Sequence, residues 1–327
     1  MMKLKYFISL YILICTFALY AQRAPVSNSL ILNTSTAKYF RNKAEFKQKS
    51  NPDSITLPLK RAGNLLVLET TIDGVKGNLI FDSGSMALLV LNKTYFRNHK
   101  VRSKEFTQGI NGRQEAIEII SVDSMMISDL IFTDISANLA NLSHIENQKG
   151  VKILGFFGLE LLQQYSLLLD VNQNVLHLYH QKNAKDAIKK IETQCDYVQD
   201  AEILNNIVFI WGKIGKTHLK FCFDTGAEKN VLGTHLSKKV MSSITFTGRL
   251  RVNDAGRSAS EVLYGTMNQF EFGDKHLKSM EVIVSNITPL STIYSIPIAG
   301  VLGYDFMSKG KIYIHYSDQK FGIIYQK

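Results

Sequence analysis

The chain contains one pattern twice, and this repeat is the feature that most limits how it can fold. An apolar run leading into Asp-Ser-Gly occupies residues 78–92 (NLIFDSGSMALLVLN), and a similar run leading into Asp-Thr-Gly occupies residues 219–233 (LKFCFDTGAEKNVLG). Asp82 and Asp224 are 142 positions apart (224 − 82). When these two residues are aligned, the segment before each reads as two β-strands joined by a glycine-containing turn.

The repeat continues well beyond the acidic triplets. Each copy contains two apolar residues followed by glycine, FFG ending at Gly158 and VLG ending at Gly303. Gly158 lies 76 positions after Asp82, and Gly303 lies 79 positions after Asp224 (158 − 82 and 303 − 224). An offset that drifts by only three residues indicates internal duplication of a mostly β unit. We therefore expect an all-β fold of two similar β-barrel lobes with a cleft between them.

The first residues have the layout of a secretory signal peptide. Lys3 and Lys5 precede an apolar run from Tyr6 to Ala21, which is short for a membrane span. We expect an exported protein, periplasmic or secreted, with no stable membrane span after signal cleavage. The predicted segments are a signal peptide at 1–21, a leader or linker at 22–55, an N-terminal lobe at 56–180, a linker at 181–194 and a C-terminal lobe at 195–327.

Composition excludes some classes of function. The formal net charge is +10, but the Lys and Arg residues are scattered, so no nucleic-acid partner is predicted. His177 and His180 lie three apart in an alternating strand pattern and should point to opposite faces, which favours structural roles over metal binding. After the predicted cleavage only Cys195 and Cys222 remain. They could form one disulfide, or Cys222 could be a buried free thiol.

The acidic turns are the candidate functional residues. Each Asp follows an apolar strand, where a charged group is costly to bury without a purpose. A pseudo-two-fold axis between the copies could bring Asp82 and Asp224 together. Two adjacent carboxylates cannot both ionise cheaply, so the pair would hold one proton and could activate a water molecule between them.

The residues after each Asp have predicted supporting roles. Ser83 and Thr225 can hydrogen-bond across to the opposite loop, and Gly84 and Gly226 let the backbone approach the carboxylates. The next positions differ, with Ser85 in the first copy and Ala227 in the second. A hydroxyl at that position could donate to the ionised carboxylate and lower its pKa, whereas alanine could not. We therefore expect a working pH less acidic than with hydroxyls on both sides.

These motifs resemble those of retropepsin-like aspartic proteases in a two-lobed, single-chain form related in plan to pepsin. The resemblance covers roughly residues 60–327 and is carried by FDSGS, FDTGA, FFGLELL and VLGYDFM. It implies an aspartic endopeptidase that hydrolyses peptide bonds with water activated between Asp82 and Asp224, one from each lobe. Gly158 and Gly303 would pack beneath the catalytic loops. No metal or organic cofactor is implied, the partner is a peptide or protein substrate, and a monomer is expected.

The resemblance also implies β-hairpin flaps that close over the substrate. TQGINGRQ (107–114), with Gly109 and Gly112, and RVNDAGRS (251–258), with Asp254 and Gly256, are the candidates. Ordinary surface hairpins are the alternative interpretation. The basic leader KYFRNKAEFKQK could be a pro-segment that covers the acidic pair, or a disordered linker.

A second class of function also fits the sequence. The same duplicated fold could bind peptide or polysaccharide without cutting it. The two hypotheses differ in whether the carboxyl groups meet within hydrogen-bonding distance, about 3 Å.

Overall fold

The computed structural model describes residues 46–108, 114–253 and 259–326. The predicted signal peptide and most of the predicted leader lie outside these ranges. Among the helices in the described ranges, none has both the length and the apolar character needed to cross a membrane.

Within the described ranges, the first copy consists of strands of 2 to 14 residues and three brief helical segments. Its strands are β1 (Lys47–Gln48), β2 (Ser54–Pro58), β3 (Lys60–Ala62), β4 (Leu65–Ile72), β5 (Val75–Phe81), β6 (Leu89–Asn92), β7 (Val101–Gln108), β8 (Gln114–Ile127), β9 (Leu130–Ala140), β10 (Ile153–Phe157), β11 (Tyr165–Asp170) and β12 (Val175–His180). Its helical segments are α1 (Lys93–Phe96), α2 (Ser143–Lys149) and a 3-10 helix (Leu159–Leu162), and α3 (Lys185–Gln194) follows the copy.

The second copy repeats this order, except that β8 and β9 each correspond to two shorter strands. Its strands are β13 (Tyr197–Asp200), β14 (Glu202–Leu204), β15 (Ile207–Ile214), β16 (Thr217–Phe223), β17 (Asn230–Gly233), β18 (Ile244–Asn253), β19 (Ala259–Met267), β20 (Phe270–Phe272), β21 (Lys275–Leu277), β22 (Met280–Ser285), β23 (Gly300–Leu302), β24 (Gly310–His315) and β25 (Lys320–Tyr325). Its helices are α4 (Lys238–Met241), α5 (Thr288–Tyr294) and α6 (Tyr304–Met307).

The two copies bury the same strand positions although most of the residues differ. β4 and β15 share one burial pattern, in which Glu69 and Trp211 occupy the same exposed position. β5 and β16 also share a pattern and end in three buried apolar residues directly before the acidic triplets. Equivalent burial at a constant offset means that both copies place their acidic turns at the same point of the fold.

The strands form a closed barrel in the first copy and a half-barrel in the second. In the first copy β9, β6, β10, β5, β4 and β8 form a closed ring, because β8 also pairs with β9. In the second copy the order β18-β19-β22-β17-β23-β16-β15-β20-β21 stays open and forms a half-barrel. The predicted fold class, all-β with duplicated barrel lobes, is confirmed.

A six-stranded sheet joins the copies, with three strands from each in the order β13-β25-β24-β11-β12-β2. At its centre β11 and β24 run antiparallel, and Leu168 pairs with Tyr313. These two residues are 145 positions apart (313 − 168) and are therefore equivalent in the two copies. The pseudo-two-fold axis passes between them, and one apolar cluster extends through both lobes.

The predicted linker at 181–194 contains α3, a helix that packs on this shared sheet. Its Ile188 and Ile191 are buried in a cluster with Leu168 and Tyr313. The sequence suggested only a polar connection, because the two apolar residues are separated by charged ones. The predicted lobe boundaries themselves remain predictions.

The strand beneath each acidic turn requires glycine because two other strands approach it closely. β10 lies between β5 and β6, and a Cβ at Gly155 would be 2.0 Å from the carbonyl oxygen of Val90. In the second copy, a Cβ at Gly300 of β23 would be 2.2 Å from the carbonyl oxygen of Val231. Gly155 and Gly300 are equivalent residues, 145 positions apart (300 − 155).

We expect Gly155→Ala and Gly300→Ala each to lower the free energy of unfolding by about 1–3 kcal/mol, since backbone must move to admit the methyl group. Gly248→Ala is the matched control, because no atom lies within 4 Å of the Cβ position there. Urea unfolding of the three variants measures the difference. Equal stability of Gly300→Ala and Gly248→Ala would contradict the close-approach argument.

Candidate active site

The two predicted acidic residues meet at the junction of the copies. Asp82 directly follows β5 and Asp224 directly follows β16, and their exposed fractions are 4% and 7%. The two carboxyl groups lie close enough together for each to shift the pKa of the other. The neighbouring strand holds each loop in place, since Asp82 N–H donates to Phe157 O and Asp224 N–H donates to Leu302 O, both at 3.0 Å.

Ser83 and Thr225 tie the two loops to each other by reciprocal hydrogen bonds. The N–H of Ser83 donates to Thr225 Oγ1, and the N–H of Thr225 donates to Ser83 Oγ, each at 2.9 Å. The hydroxyl of Thr225 then donates to Phe81 O at 2.8 Å, and that of Ser83 donates to Phe223 O at 3.1 Å. Both residues are buried. Each loop is therefore fixed by the backbone of the opposite copy.

Gly84 and Gly226 provide backbone donors to the acidic pair. Gly84 N–H donates to Asp82 Oδ1 at 3.0 Å, and Gly226 N–H donates to Asp224 Oδ1 at 2.7 Å. A Cβ at Gly84 would lie 2.5 Å from Asp224 Cγ. Any larger residue at position 84 would displace the opposite carboxyl group.

Burial controls the protonation of the pair. Burial raises the pKa of the Asp82 carboxyl well above its usual range, and the charge of Asp224 and the hydrogen bond to it raise it further. Burial also raises the pKa of Asp224, but the Gly226 N–H and the hydrogen bond from Asp82 partly offset this rise. Because two adjacent buried carboxylates cannot both ionise cheaply, the arrangement favours one proton on the pair.

The Ser85 hydroxyl does not make the hydrogen bond to the carboxylate that the sequence suggested. It donates to Ala87 O at 3.1 Å and accepts from Ala87 N–H at 3.2 Å, so it closes its own turn. The backbone N–H groups of Ser85 and Ala227 instead support Asp82 and Asp224. Because both copies supply this backbone donor, the Ser–Ala difference gives no reason to expect a less acidic working pH.

Gly158 and Gly303 lie directly under the two loops. A Cβ at Gly158 would be 2.8 Å from the carbonyl oxygens of Ser85 and Ala87, and one at Gly303 would be 2.4 Å from Ala227 O. Neither glycine has a positive φ, so space is what excludes a side chain.

The four flap candidates, Gly109, Gly112, Asp254 and Gly256, lie outside the described residues. The strands on either side pair antiparallel, β7 with β8 as far as Gln108 and Gln114, and β18 with β19 as far as Asn253 and Ala259. Each candidate segment thus connects two paired strands of its lobe.

Sequence reasoning missed a buried ion pair that crosses between the copies. Lys149, the last residue of α2, contacts Glu228 Oε1 at 2.6 Å, and their side chains are 5% and 6% exposed. Glu228 follows Ala227 in the second loop and also accepts from Asn64 N–H at 2.9 Å. The sequence shows Glu228 beside the motif, but its partners lie 79 and 164 residues away (228 − 149 and 228 − 64).

The second copy anchors the first loop from the equivalent position. Tyr294, the last residue of α5, lies 145 positions after Lys149 (294 − 149), and its hydroxyl donates to Gly84 O at 3.2 Å. The equivalent of Glu228 in the first loop is Met86, which packs in the apolar cluster that contains Tyr294. One crossing contact is ionic and the other is mainly apolar.

The described residues contain no cluster of His, Cys, Asp or Glu that could hold a metal ion. His177 Nδ1 is 2.9 Å from Thr56 Oγ1, and His180 packs edge-on against Tyr165. Cys195 and Cys222 are both free thiols.

We expect Lys149→Met to lower the free energy of unfolding by about 3 kcal/mol, because it leaves Glu228 charged and buried without its cation. Adding Glu228→Gln should recover at least half of that loss, since the buried charge is then removed. Chemical unfolding at neutral pH of both single variants and the double variant gives the coupling free energy. Additive losses would show that the pair does not act as a buried ion pair.

Comparison with known proteins agrees with the chemistry of this site. No curated protein matches the chain. A family model described as aspartyl protease matches residues 210–306, the part of the second copy that contains Asp224 and Gly303. The match supports an aspartic protease family for this chain, and a protease-type hydrolase acting on peptides or proteins as its general class.

Proposed function

We propose that the chain is a two-lobed, single-chain aspartic endopeptidase in which Asp82 and Asp224 together activate one water molecule. One observation carries the proposal. Two buried carboxyl groups from equivalent loops lie close together, and the loops that hold them are braced across the axis. Binding alone gives no reason to bury two acids against each other, because such a pair lowers stability at neutral pH.

The reaction follows from one proton shared by two carboxyl groups. Ionised Asp224 takes a proton from water, and the resulting hydroxide adds to the peptide carbonyl carbon while protonated Asp82 donates to its oxygen. Asp224 then gives its proton to the leaving nitrogen, and Asp82 recovers a proton from the tetrahedral intermediate as the C–N bond breaks. Water is consumed, the carboxyl groups return to their first state, and no covalent enzyme intermediate forms.

The rest of the molecule suits an extended substrate. The paired strands β7–β8 and β18–β19 end in the segments proposed as flaps, one from each lobe. A peptide in extended form could pair with such strands through its backbone. We further propose that the protein acts as a monomer and is exported, on the signal-like pattern of residues 1–21.

Asp82→Asn and Asp224→Asn should each reduce hydrolysis of a mixed peptide library by about a thousand-fold or more, because each removes one half of the proton transfer. Asp186→Asn, at an exposed site on α3, is the control and should keep full activity. Mass spectrometry of the products, from acidic to neutral pH, measures the rates. Activity retained in one of the two dyad variants would show that the residues do not share one site. A folded wild type that binds peptides and cuts none would favour the binding hypothesis.

Asp82→Asn should raise the melting temperature at neutral pH by a few degrees. Since the folded-state pKa of Asp82 lies above its unfolded value, the contribution of Asp82 to wild-type stability is greatest below about pH 4 and is lost as pH rises through the folded pKa. Asparagine removes that loss, so the difference between variant and wild type should grow from acidic to neutral pH. Calorimetry at several pH values, with Asp186→Asn as control, measures it. A difference that grows as pH falls would reverse the assigned direction.

A further inference from the structure

The shared sheet carries an open cavity of about 540 Å³ that contains no residue of the acidic pair. Its walls come from both copies. Ile203, Tyr316 and Gln319 belong to the second copy, and Gln163, His180 and Gln181 belong to the first.

The equivalent place in the first copy is filled by the side chain of Arg61. Ile203 occupies the position of Arg61 at the repeat offset (203 − 61 = 142). Tyr316 and Gln319 occupy the positions of Val171 and Asn174 (offset 145 for both). The duplication therefore provides a filled and an unfilled version of one site in the same molecule.

The backbone of the two sites matches at their equivalent turn. Leu59 N–H donates to Asn174 O at 2.8 Å, and the equivalent Ala201 N–H donates to Gln319 O at 2.7 Å. Asn174 and Gln319 both have φ of 52°. The open and the filled site therefore share this turn and differ in their side chains.

The filled site shows how the groups around this turn hold the guanidinium of Arg61. Arg61 Nε donates to Asn174 Oδ1 at 2.6 Å, and its Nη2 donates to Val171 O at 2.5 Å. The guanidinium carbon also lies 4.5 Å from the ring centre of Tyr304, whose hydroxyl accepts from Nη1. These are neutral acceptors and one aromatic face, arranged around a planar cation.

The open site keeps most of these groups without the arginine. Gln319 holds the sequence position of Asn174, lines the cavity and also carries an amide, and no described residue hydrogen-bonds to that amide. Tyr316 O stands in place of Val171 O and receives only a long bond, 3.4 Å, from Gln319 N–H. Leu159 replaces Tyr304, but the side chain of Tyr316 lines the cavity and offers an aromatic ring.

A second difference keeps the cavity open. In the filled site Asn172 Nδ2 crosses to the opposite wall, where it donates to Ser308 O at 3.1 Å and Gln326 Oε1 at 3.2 Å. Its equivalent, Ser317 (offset 145), has a shorter side chain that bonds Asp318 within its own turn. Both residues that would close the cavity are thus replaced by shorter ones.

We propose that the cavity binds the guanidinium group of an arginine side chain on another polypeptide. The N–H groups of a planar guanidinium would donate to the Gln319 amide oxygen and the Tyr316 carbonyl oxygen, as those of Arg61 donate to the equivalent acceptors. A lysine ammonium has no such planar fork and cannot stack on the ring in the same way. Lys182 also lines the cavity, so removing its charge should strengthen binding of a cation.

Isothermal titration calorimetry with N-acetyl-arginine amide and N-acetyl-lysine amide tests the proposal on the whole protein. The arginine derivative should bind saturably with a dissociation constant of about 1 mM or tighter, at least about tenfold tighter than the lysine derivative. Lys182→Gln should tighten arginine binding. Absence of saturable arginine binding, or equal binding of both derivatives, would overturn the proposal.

Three variants locate the site. Ile203→Arg should fill the cavity as Arg61 fills its equivalent and weaken binding at least tenfold without lowering the melting temperature, whereas Ile203→Leu should bind as wild type does. Gln319→Gly removes the acceptor at a position where glycine tolerates the positive φ, and it should weaken binding several-fold. Unchanged binding in both Ile203→Arg and Gln319→Gly would place the arginine elsewhere and contradict the proposal.

Discussion

The reciprocal hydrogen bonds between Ser83 and Thr225 are the interaction on which the rest of the site depends. Each residue donates its N–H to the other's hydroxyl and its hydroxyl to the opposite strand. Four buried groups are satisfied only when both copies are in place, so neither acidic loop has this geometry alone. The burial of the carboxyl groups, their closeness to each other and the close approach of Gly84 all follow from this bracing.

The two copies have different side chains at equivalent positions where the shared backbone geometry accepts more than one residue type. Glu228 and Met86 occupy equivalent positions, yet one makes a buried ion pair with Lys149 and the other enters an apolar cluster. Arg61 and Ile203 give one filled and one open site on the shared sheet. In contrast, both copies have glycine at the equivalent positions 155 and 300, because a carbonyl oxygen of the neighbouring strand leaves no space for a side chain in either copy.

Much of the fold and of the candidate site could be predicted from the sequence because the sequence contains an internal repeat. A constant offset predicts equivalent strands, and the acidic turns after apolar runs indicate the site. What could not be predicted depends on contacts between distant positions. Tertiary packing, which no local sequence pattern predicts, determines three such features. These are the partners of Glu228, the hydrogen bonds of the Ser85 hydroxyl within its own turn, and the packing of α3 through Ile188 and Ile191.

The most direct test of the central claim is a carbon-13 NMR titration of the Asp82 and Asp224 carboxyl groups. We expect the two signals to titrate together and one proton to stay on the pair well above the ordinary pH range for Asp, because burial and the neighbouring charge raise the pKa of Asp82. Two independent titrations at ordinary values would contradict it, since they would show that the carboxyl groups do not share a proton and cannot divide the acid and base roles between them.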